Sequence, residues 1–131
     1  MTRRVEAAKR AALVLFAHGA REPGWAAPFF AVRDTVAAAR PDLTVTLAFL
    51  ELMQPSLEEC IAGLAASAHQ RITVAPLFLG MGGHLTRDLP RVLNGIREQH
   101  SSVEIVTLPP IGESEAVLEA IAGWLVNAAL R

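Results

Sequence analysis

The feature that most constrains the fold of this chain is a fourfold alternation of strand-like apolar runs with amphipathic helical patterns. The first and third runs, 12–17 and 72–79, are apolar at nearly every position, whereas the second run, 43–50, alternates apolar and polar residues. The fourth run, 103–108, contains Glu104. Strands separated by helices at this spacing form parallel sheets through right-handed crossovers. The pattern therefore predicts an α/β fold.

The composition of the four strands predicts their order in the sheet. Parallel strands that are apolar throughout are covered on both faces and lie inside a sheet, so the alternating and the charged strand belong at its edges. The predicted architecture is a three-layer αβα sandwich around a four-stranded parallel sheet in the order 2-1-3-4. A length of 131 residues and a hydrophobic fraction of 52% agree with one globular domain over residues 1–131.

Four helices are predicted at residues 25–39, 56–68, 86–99 and 113–129. Ser56 and Glu59 have the spacing of a capping box at the start of the second helix. Pro90 falls in the first turn of the third helix, where proline is tolerated. The apolar stripes of the second and fourth helices are Leu57, Ile61, Leu64 and Ala68, and Val117, Leu118, Ile121 and Leu125.

Two histidines follow the strands that are predicted to lie in the middle of the sheet. His18 comes directly after the first strand, and His84 follows a glycine-containing turn after the third. Ligands bind outside the carboxyl ends of parallel strands where the strand order reverses, which here is between strands one and three. Imidazole is the commonest metal ligand. We therefore expect a metal-binding or proton-transfer site at His18 and His84, while His69 and His100 close helices two and three as structural residues.

Further candidate residues flank the two histidines. Glu51 follows strand two at the same edge of the sheet and can ligate a metal ion, orient an imidazole or accept a proton, although a solvated loop carboxylate is an equal alternative. Arg21 and Arg87 each lie three residues after a histidine and can hold anionic groups of a substrate. Gly82 and Gly83 allow the backbone to approach a flat ligand closely.

The composition also argues against several classes of function. A net charge of −1 disfavours nucleic acid as a partner, and no apolar stretch reaches the length of a membrane span. The glycines form neither a dinucleotide-binding motif nor a P-loop, so no nucleotide is expected. The single cysteine, Cys60, excludes an intrachain disulfide, fits a reducing cytoplasm and is predicted to be a small buried residue of helix two.

Three blocks of the sequence carry a family resemblance. They read AHGAREP at 17–23, FLELMQPSL at 49–57 and VAPLFLGMGGHLTRDLP at 74–90. In these blocks, and more broadly over 13–110, the chain resembles the small sirohydrochlorin chelatases of the CbiX/SirB type, within the class II chelatase group. It departs from the family pattern at Ala20, where the family usually has a serine.

The resemblance implies a chelatase-like fold, equivalent to one flavodoxin-like half of the larger related enzymes, and a homodimer that pairs two such halves. It implies insertion of a divalent metal ion, typically cobalt, into sirohydrochlorin, in cobalamin or related tetrapyrrole and siroheme biosynthesis. His18 and His84 match the metal-site histidines of the family and are expected to be catalytic, with Glu51 assisting ligation or deprotonation. Nitrogen ligands suit Co²⁺, Ni²⁺ and Fe²⁺ over Mg²⁺. The metal ion is a substrate, and no organic cofactor is expected.

Sirohydrochlorin is rich in carboxylates, so Arg21 and Arg87, with the backbone at Gly82 and Gly83, are the expected substrate-binding residues. A ferro- or nickel-chelatase, and a non-catalytic metal or tetrapyrrole carrier, remain alternatives. A phosphoryl-transfer enzyme with a nucleophilic His18 is a third, but it needs an arginine-rich phosphate pocket that the residues before His18 do not offer.

Overall fold

The computed structural model describes residues 10–129, which contain four strands, four α-helices and two short 3₁₀ helices. The strands are β1 (Arg10–Ala17), β2 (Leu43–Phe49), β3 (His69–Pro76) and β4 (Glu104–Thr107). The helices are α1 (Ala27–Ala39), α2 (Leu57–Ala66), α3 (Gly83–Gln99) and α4 (Glu115–Ala129), with 3₁₀ helices at Pro23–Ala26 and Ile111–Glu113. None of the helices within 10–129 has the length and apolar character that crossing a membrane requires. Residues 1–9 and 130–131 of the predicted domain lie outside the described residues.

The strands form one parallel sheet in the order β2-β1-β3-β4, which confirms the predicted order 2-1-3-4. β1 pairs with β2 from Ala11 opposite Leu43 to Ala17 opposite Phe49, and with β3 on its other side. The central strands are covered on both faces, as their apolar composition predicts. The carboxyl ends of β1, β2 and β3 therefore lie side by side.

Helices cover the two faces of the sheet, which gives the predicted three layers. On one face α2 and α3 pack against the strands, in a core that contains Ile61, Ile72 and Ile96. On the other face Phe29 of α1 and the neighbouring Trp25 pack against β1 and β2. Cys60 is buried on the α2 side, as predicted. Since α2 and α3 both start at the carboxyl edge of the sheet, their first turns flank the ends of the central strands.

The second helix begins with the predicted capping box. The Glu59 amide donates to Ser56 Oγ at 3.1 Å, and the Ser56 amide donates to the Glu59 carboxylate at 2.9 Å. These two bonds satisfy amide groups that have no partner within a helix. The helix ends at Ala66, so Ala68 of the predicted stripe lies outside it, exposed and with a left-handed backbone (φ 65°).

The position predicted for His69 is wrong, because the turn after α2 carries the chain into the sheet before this residue. His69 begins β3 and is 3% exposed. Its ring nitrogens lie 3.0 Å from the Leu64 carbonyl and 2.8 Å from Thr44 Oγ1. His69 is thus a structural residue that links α2, β2 and β3. His100 does close α3, as predicted.

The third helix begins at Gly83, three residues before the predicted start. The Gly82 carbonyl accepts bonds from both the amide and the hydroxyl of Thr86, each at 3.0 Å, so the first turn forms without a side-chain cap. Pro90 consequently lies inside the helix and not in its first turn, which corrects the prediction. Its missing amide hydrogen leaves the Thr86 carbonyl without the usual helical bond.

The fourth helix forms as predicted, but its apolar stripe is not part of the core. Val117 and Ile121 are half-buried, while Leu118 and Leu125 are 46% and 52% exposed. No residue of α4 is buried, and its main contacts are with the 3₁₀ helix at Ile111–Glu113. The spacing of the stripe predicted the helix itself, but within the described residues its apolar side chains are only half-buried or exposed.

Candidate functional site

A cleft of about 860 Å³ opens at the carboxyl ends of the central strands, on the face covered by α2 and α3. Its walls come from the segments after β1, β2 and β3 and from the first turns of α2 and α3. His18, Glu51, Gly82 and His84 all line it. The structure thus brings four of the predicted site residues together at the point where the strand order reverses.

His18 and Glu51 stand side by side at the ends of β1 and β2. His18 Nε2 lies 3.1 Å from Glu51 Oε2, and both side chains are 55% exposed. Backbone bonds join the two segments, since the Leu50 amide donates to the Ala17 carbonyl at 2.9 Å and the Glu51 amide to the His18 carbonyl at 3.1 Å. We refer to His18 and Glu51 as the sheet pair.

Gly19 permits the close approach of these two segments. Its φ of +94° is a conformation that side chains disfavour. A Cβ at this position would also collide with the Glu51 carbonyl oxygen. The glycine after His18 is therefore required for the sheet pair to form, independently of any contact with a ligand.

The imidazole of His18 rests on a buried aromatic side chain. Phe78, which follows β3, meets His18 edge-on with ring centroids 6.4 Å apart, and it packs against Phe16 in the same manner at 5.6 Å. Such edge-to-face contacts are favourable because of the ring quadrupole. No role was predicted for Phe78, because an apolar residue at the end of a core strand carries no sequence signal of a site.

His84 and Asp88 form a second pair on the first turns of α3. His84 Nε2 lies 2.9 Å from Asp88 Oδ2. The four-residue spacing puts both side chains on one helix face, and Asp88 also lines the cleft. The side chain of His84 is 88% exposed and that of Asp88 39%. Asp88 was not predicted as a site residue; its spacing from His84 was the available signal. We refer to His84 and Asp88 as the helix pair.

The two pairs line one cleft but do not form one cluster. Within residues 10–129, no three histidine, cysteine or acidic side chains stand close enough together to hold a metal ion as a group. Each pair offers one imidazole nitrogen and one carboxylate oxygen, a mixture that suits first-row divalent ions. An ion at either pair would retain open coordination positions.

The rest of the lining combines further carboxylates with apolar walls. Glu58 and Glu59, from the first turn of α2, bring the number of acidic residues in the lining to four, and no lysine or arginine lines the cleft in the described part of the chain. Its apolar lining residues are Phe16, Phe49, Leu50, Leu57, Phe78, Leu85, Leu89 and Val92. Such a cleft attracts a cation and offers apolar surface to a flat ring.

Three of the predicted substrate-binding residues, Arg21, Gly83 and Arg87, lie outside the lining of the cleft. Arg21 is exposed in the turn before the first 3₁₀ helix. Arg87 is exposed on α3, and a Cβ added to Gly83 would lie 3.5 Å from its Nη1 atom. The guanidinium of Arg87 thus folds back over the start of the helix that carries His84.

Comparisons with known proteins agree on one family. The model of the CbiX family matches residues 12–127. The sirohydrochlorin cobaltochelatase of Methanosarcina acetivorans is 28% identical over 116 residues, covering 83% of this chain and 89% of the relative. The sirohydrochlorin cobaltochelatase of Saccharolobus islandicus is 29% identical over 115 residues, covering 83% and 88%.

Solved structures show the same likeness. The CbiX protein from Marinobacter aquaeolei VT8 superposes with a TM-score of 0.80 at 26% identity, covering 92% of this chain and 98% of that protein. The sirohydrochlorin chelatase SirB from Bacillus subtilis subspecies spizizenii, solved in complex with cobalt, superposes with a TM-score of 0.70 at 25% identity. The match covers 90% of this chain but half of SirB.

Proposed function

The chain belongs to the CbiX family, and we propose that it is a sirohydrochlorin cobaltochelatase, which inserts Co²⁺ into sirohydrochlorin. The relatives that it matches over most of their length carry this activity in their names. The observation that carries the proposal is the acidic, apolar-walled cleft with one imidazole–carboxylate pair at the ends of the strands and another on α3. The reaction serves cobalamin or a related tetrapyrrole pathway, such as that to siroheme.

Metal insertion exchanges two pyrrole N–H protons of the macrocycle for one divalent cation. The exchange needs an incompletely liganded metal ion and an acceptor for the released protons. His18 and His84 are the proposed metal ligands, because an imidazole binds a first-row ion without enclosing it. Glu51, beside His18, is the proposed proton acceptor or additional ligand. Four carboxylates in the lining favour entry of the cation.

The same four carboxylates repel the anionic substituents of sirohydrochlorin. The ring therefore enters the cleft along its apolar walls, and its carboxylates face outward. Arg21 and Arg87 are exposed guanidiniums that follow the two cleft histidines by three residues each, and we assign the substrate carboxylates to them. Gly82 lines the cleft, and an added Cβ there would meet nothing within 4 Å, so this position leaves space for the ring against the backbone.

The test is an anaerobic assay in which the absorption spectrum of sirohydrochlorin is followed after addition of Co²⁺ and protein. The wild-type chain should accelerate insertion above the spontaneous rate, and His18→Ala and His84→Ala should each reduce the acceleration at least about tenfold. His100→Ala, which removes a histidine at the far end of α3, is the matched control. Insertion no faster than the spontaneous reaction in the presence of the wild-type chain would refute the proposal. Tight binding of the metal ion or of sirohydrochlorin without turnover would identify a carrier. Faster insertion of Ni²⁺ or Fe²⁺ would change the assigned metal.

We also propose that the protein is a homodimer in which a second copy covers α4. The exposed apolar residues of this helix include Leu118, Trp124, Leu125 and Val126, with Trp124 70% exposed. A helix whose apolar side lacks a partner gains stability when it is covered, because apolar area is removed from water. The proposed cytoplasmic location rests on the single cysteine, Cys60, which is a free thiol.

The dimer is tested by light scattering coupled to size-exclusion chromatography. The molar mass measured by light scattering for the wild-type protein should be twice that of one chain. Trp124→Glu should shift the population towards the monomer, since the charge would be buried at the interface. Val32→Glu is the control, because Val32 is also an exposed apolar residue but lies on α1. A monomeric wild-type chain at micromolar concentration would refute the dimer.

A further inference from the structure

We propose that two copies of the chain exchange their last helices, so that the end of α4 of each copy packs on the sheet of the other copy, on the face of β3 and β4 opposite α3. The inference rests on the proposed homodimer and not on the chelatase activity. It names the surface of the second copy that covers α4. It starts from two apolar surfaces of the single chain, one on the sheet and one on α4, that are both incompletely covered.

The first surface is the half of a sheet face that α1 leaves only partly covered. Thr73 of β3 pairs in register with Leu13 of β1 and with Val106 of β4, and residues paired in this way point to the same face. This is the face of α1, which packs against β1 and β2. None of the three is buried, and Val106 is 39% exposed, whereas Ile72 and Ile105 on the other face of β3 and β4 are 0% and 6% exposed. We refer to Leu13, Thr73 and Val106 as the open row.

The open row has the width and the surroundings of a site for one helix. Neighbouring strands are about 4.8 Å apart, so β1, β3 and β4 span about 10 Å, which is the diameter of an α-helix with its side chains. Arg71 and Glu104 lie two residues before Thr73 and Val106 and therefore on the same face. Arg71 Nε is 3.5 Å from Glu104 Oε1, and both side chains are exposed. An apolar centre with a charged rim is the usual composition of a protein interface.

The second surface is the end of α4, where every residue from 122 to 129 is exposed. This segment contains Trp124, Leu125 and Val126, which are 70%, 52% and 62% exposed. Successive residues of a helix are about 100° apart, so these three side chains occupy different sides of α4. A helix that is apolar on several sides is buried in a larger assembly. The end of α4 therefore needs a covering surface.

The start of α4 is held in place by contacts that set the direction of the helix. The Gly112 amide donates to the Phe78 carbonyl at 3.0 Å, and a Cβ at Gly112 would collide with the Leu79 carbonyl oxygen. The Ser114 carbonyl then accepts from the Leu118 amide at 3.0 Å, which closes the first turn. In this direction the end of α4 stays exposed and so does Val106.

A second copy can cover both surfaces without any change at these contacts. Each copy has one helix end to give and one open row to receive the helix of its partner. Reciprocal exchange of one element therefore produces a closed twofold dimer in which the same contact occurs twice. Apolar area is removed from water on both surfaces at once.

The experiment places opposite charges on the two surfaces and measures the dimer by light scattering coupled to size-exclusion chromatography. Val106→Lys and Trp124→Glu should each raise the dissociation constant of the dimer at least about tenfold, because each would bury an unpaired charge. An equimolar mixture of the two variants should form the dimer again. Exchange then joins an unaltered helix to an unaltered row at one contact, and a glutamate to a lysine at the other.

Val32→Lys is the matched control, since Val32 is an equally exposed apolar residue on α1. This variant should remain dimeric. A second measurement follows the accessibility of Trp124 to iodide by fluorescence quenching, in a Trp25→Phe background. Trp124 should be shielded when Val106 is present and accessible in Val106→Lys. Circular dichroism of each variant checks that it is folded.

Two results would overturn the exchange and leave the homodimer intact. One is a Val106→Lys chain that stays dimeric with Trp124 shielded, because another surface of the second copy would then cover α4. The other is a mixture of Val106→Lys and Trp124→Glu that stays monomeric. A monomeric wild-type chain would refute the homodimer and the exchange together. None of these results affects the metallation assay, which tests the chelatase activity separately.

Discussion

Replacement of Gly19 by alanine should loosen the segments that hold the sheet pair and destabilise the whole domain. The left-handed backbone of Gly19 costs an alanine about 1 kcal/mol. The added Cβ would strike the Glu51 carbonyl, so the two segments must separate. Separation lengthens the backbone bonds of Leu50 to Ala17 and Glu51 to His18, which contribute about 1 kcal/mol each. The total is about 3 kcal/mol.

Urea denaturation followed by far-UV circular dichroism measures this loss. With a slope of about 2 kcal/mol per molar urea, the midpoint of Gly19→Ala should fall by about 1.5 M. The matched control is Gly24→Ala, because a Cβ at Gly24 meets nothing within 4 Å; its midpoint should stay within about 0.3 M of wild type. Co²⁺ affinity should also fall in Gly19→Ala. A midpoint for Gly19→Ala equal to that of Gly24→Ala would contradict the role given to this close approach.

Three further predictions concern the scaffold. Ser56→Ala removes one half of the capping box and should lower the free energy of unfolding by about 1 kcal/mol in the same urea assay, whereas Ser102→Ala in an exposed turn should have no effect. His69→Leu should lower the free energy of unfolding by about 2 kcal/mol, because it leaves the buried Leu64 carbonyl and the partly buried Thr44 hydroxyl without this hydrogen bond. His100→Leu, at the half-buried end of α3, is its control, and an equal loss in both variants would contradict the role of His69 in linking α2, β2 and β3. Burial raises the pKa of the Cys60 thiol from 9.0 to about 11. Between those values the thiol is deprotonated in the unfolded chain and protonated in the folded one, so the contribution of Cys60 to stability should be constant below pH 9 and fall from pH 9 to pH 11. Cys60→Ala should abolish that part of the fall, and an unchanged slope in this variant would refute the assignment.

Local chemistry and strand composition were sufficient to predict most of the scaffold. The capping box at Ser56 depends on residues three apart, and the strand order depends on which strands are apolar on both faces. The same order places His18 and His84 at one crevice, and the structure has both in one cleft. The bounds of α3 were less predictable, because Thr86 bonds to Gly82 through both its amide and its hydroxyl and so sets the first turn ahead of Pro90.

The predictions that failed or were not made depend on how elements are oriented in space. The stripe of α4 has the pattern of a core helix, but the pattern alone does not state how deeply the helix is buried in the domain. His69 was placed at a helix end because the left-handed residue after α2 is Ala68 and not a glycine, so the sequence carries no signal that the helix ends before it. Asp88 was missed because its importance comes from its 2.9 Å approach to His84, and a carboxylate in the first turns of a helix is otherwise unremarkable.

The two pairs in the cleft are attached to different parts of the fold, and substitutions during evolution can shift one part relative to the other. The sheet pair is fixed by backbone bonds at the ends of adjacent strands. The helix pair follows α3, which is seated on the sheet through buried Leu89, Leu93 and Ile96. A change of side-chain volume in that seat would shift the helix and alter the span between the pairs, with all four side chains of the two pairs unchanged. Metal preference can therefore diverge through the hydrophobic core, and relatives with identical site residues need not share a metal.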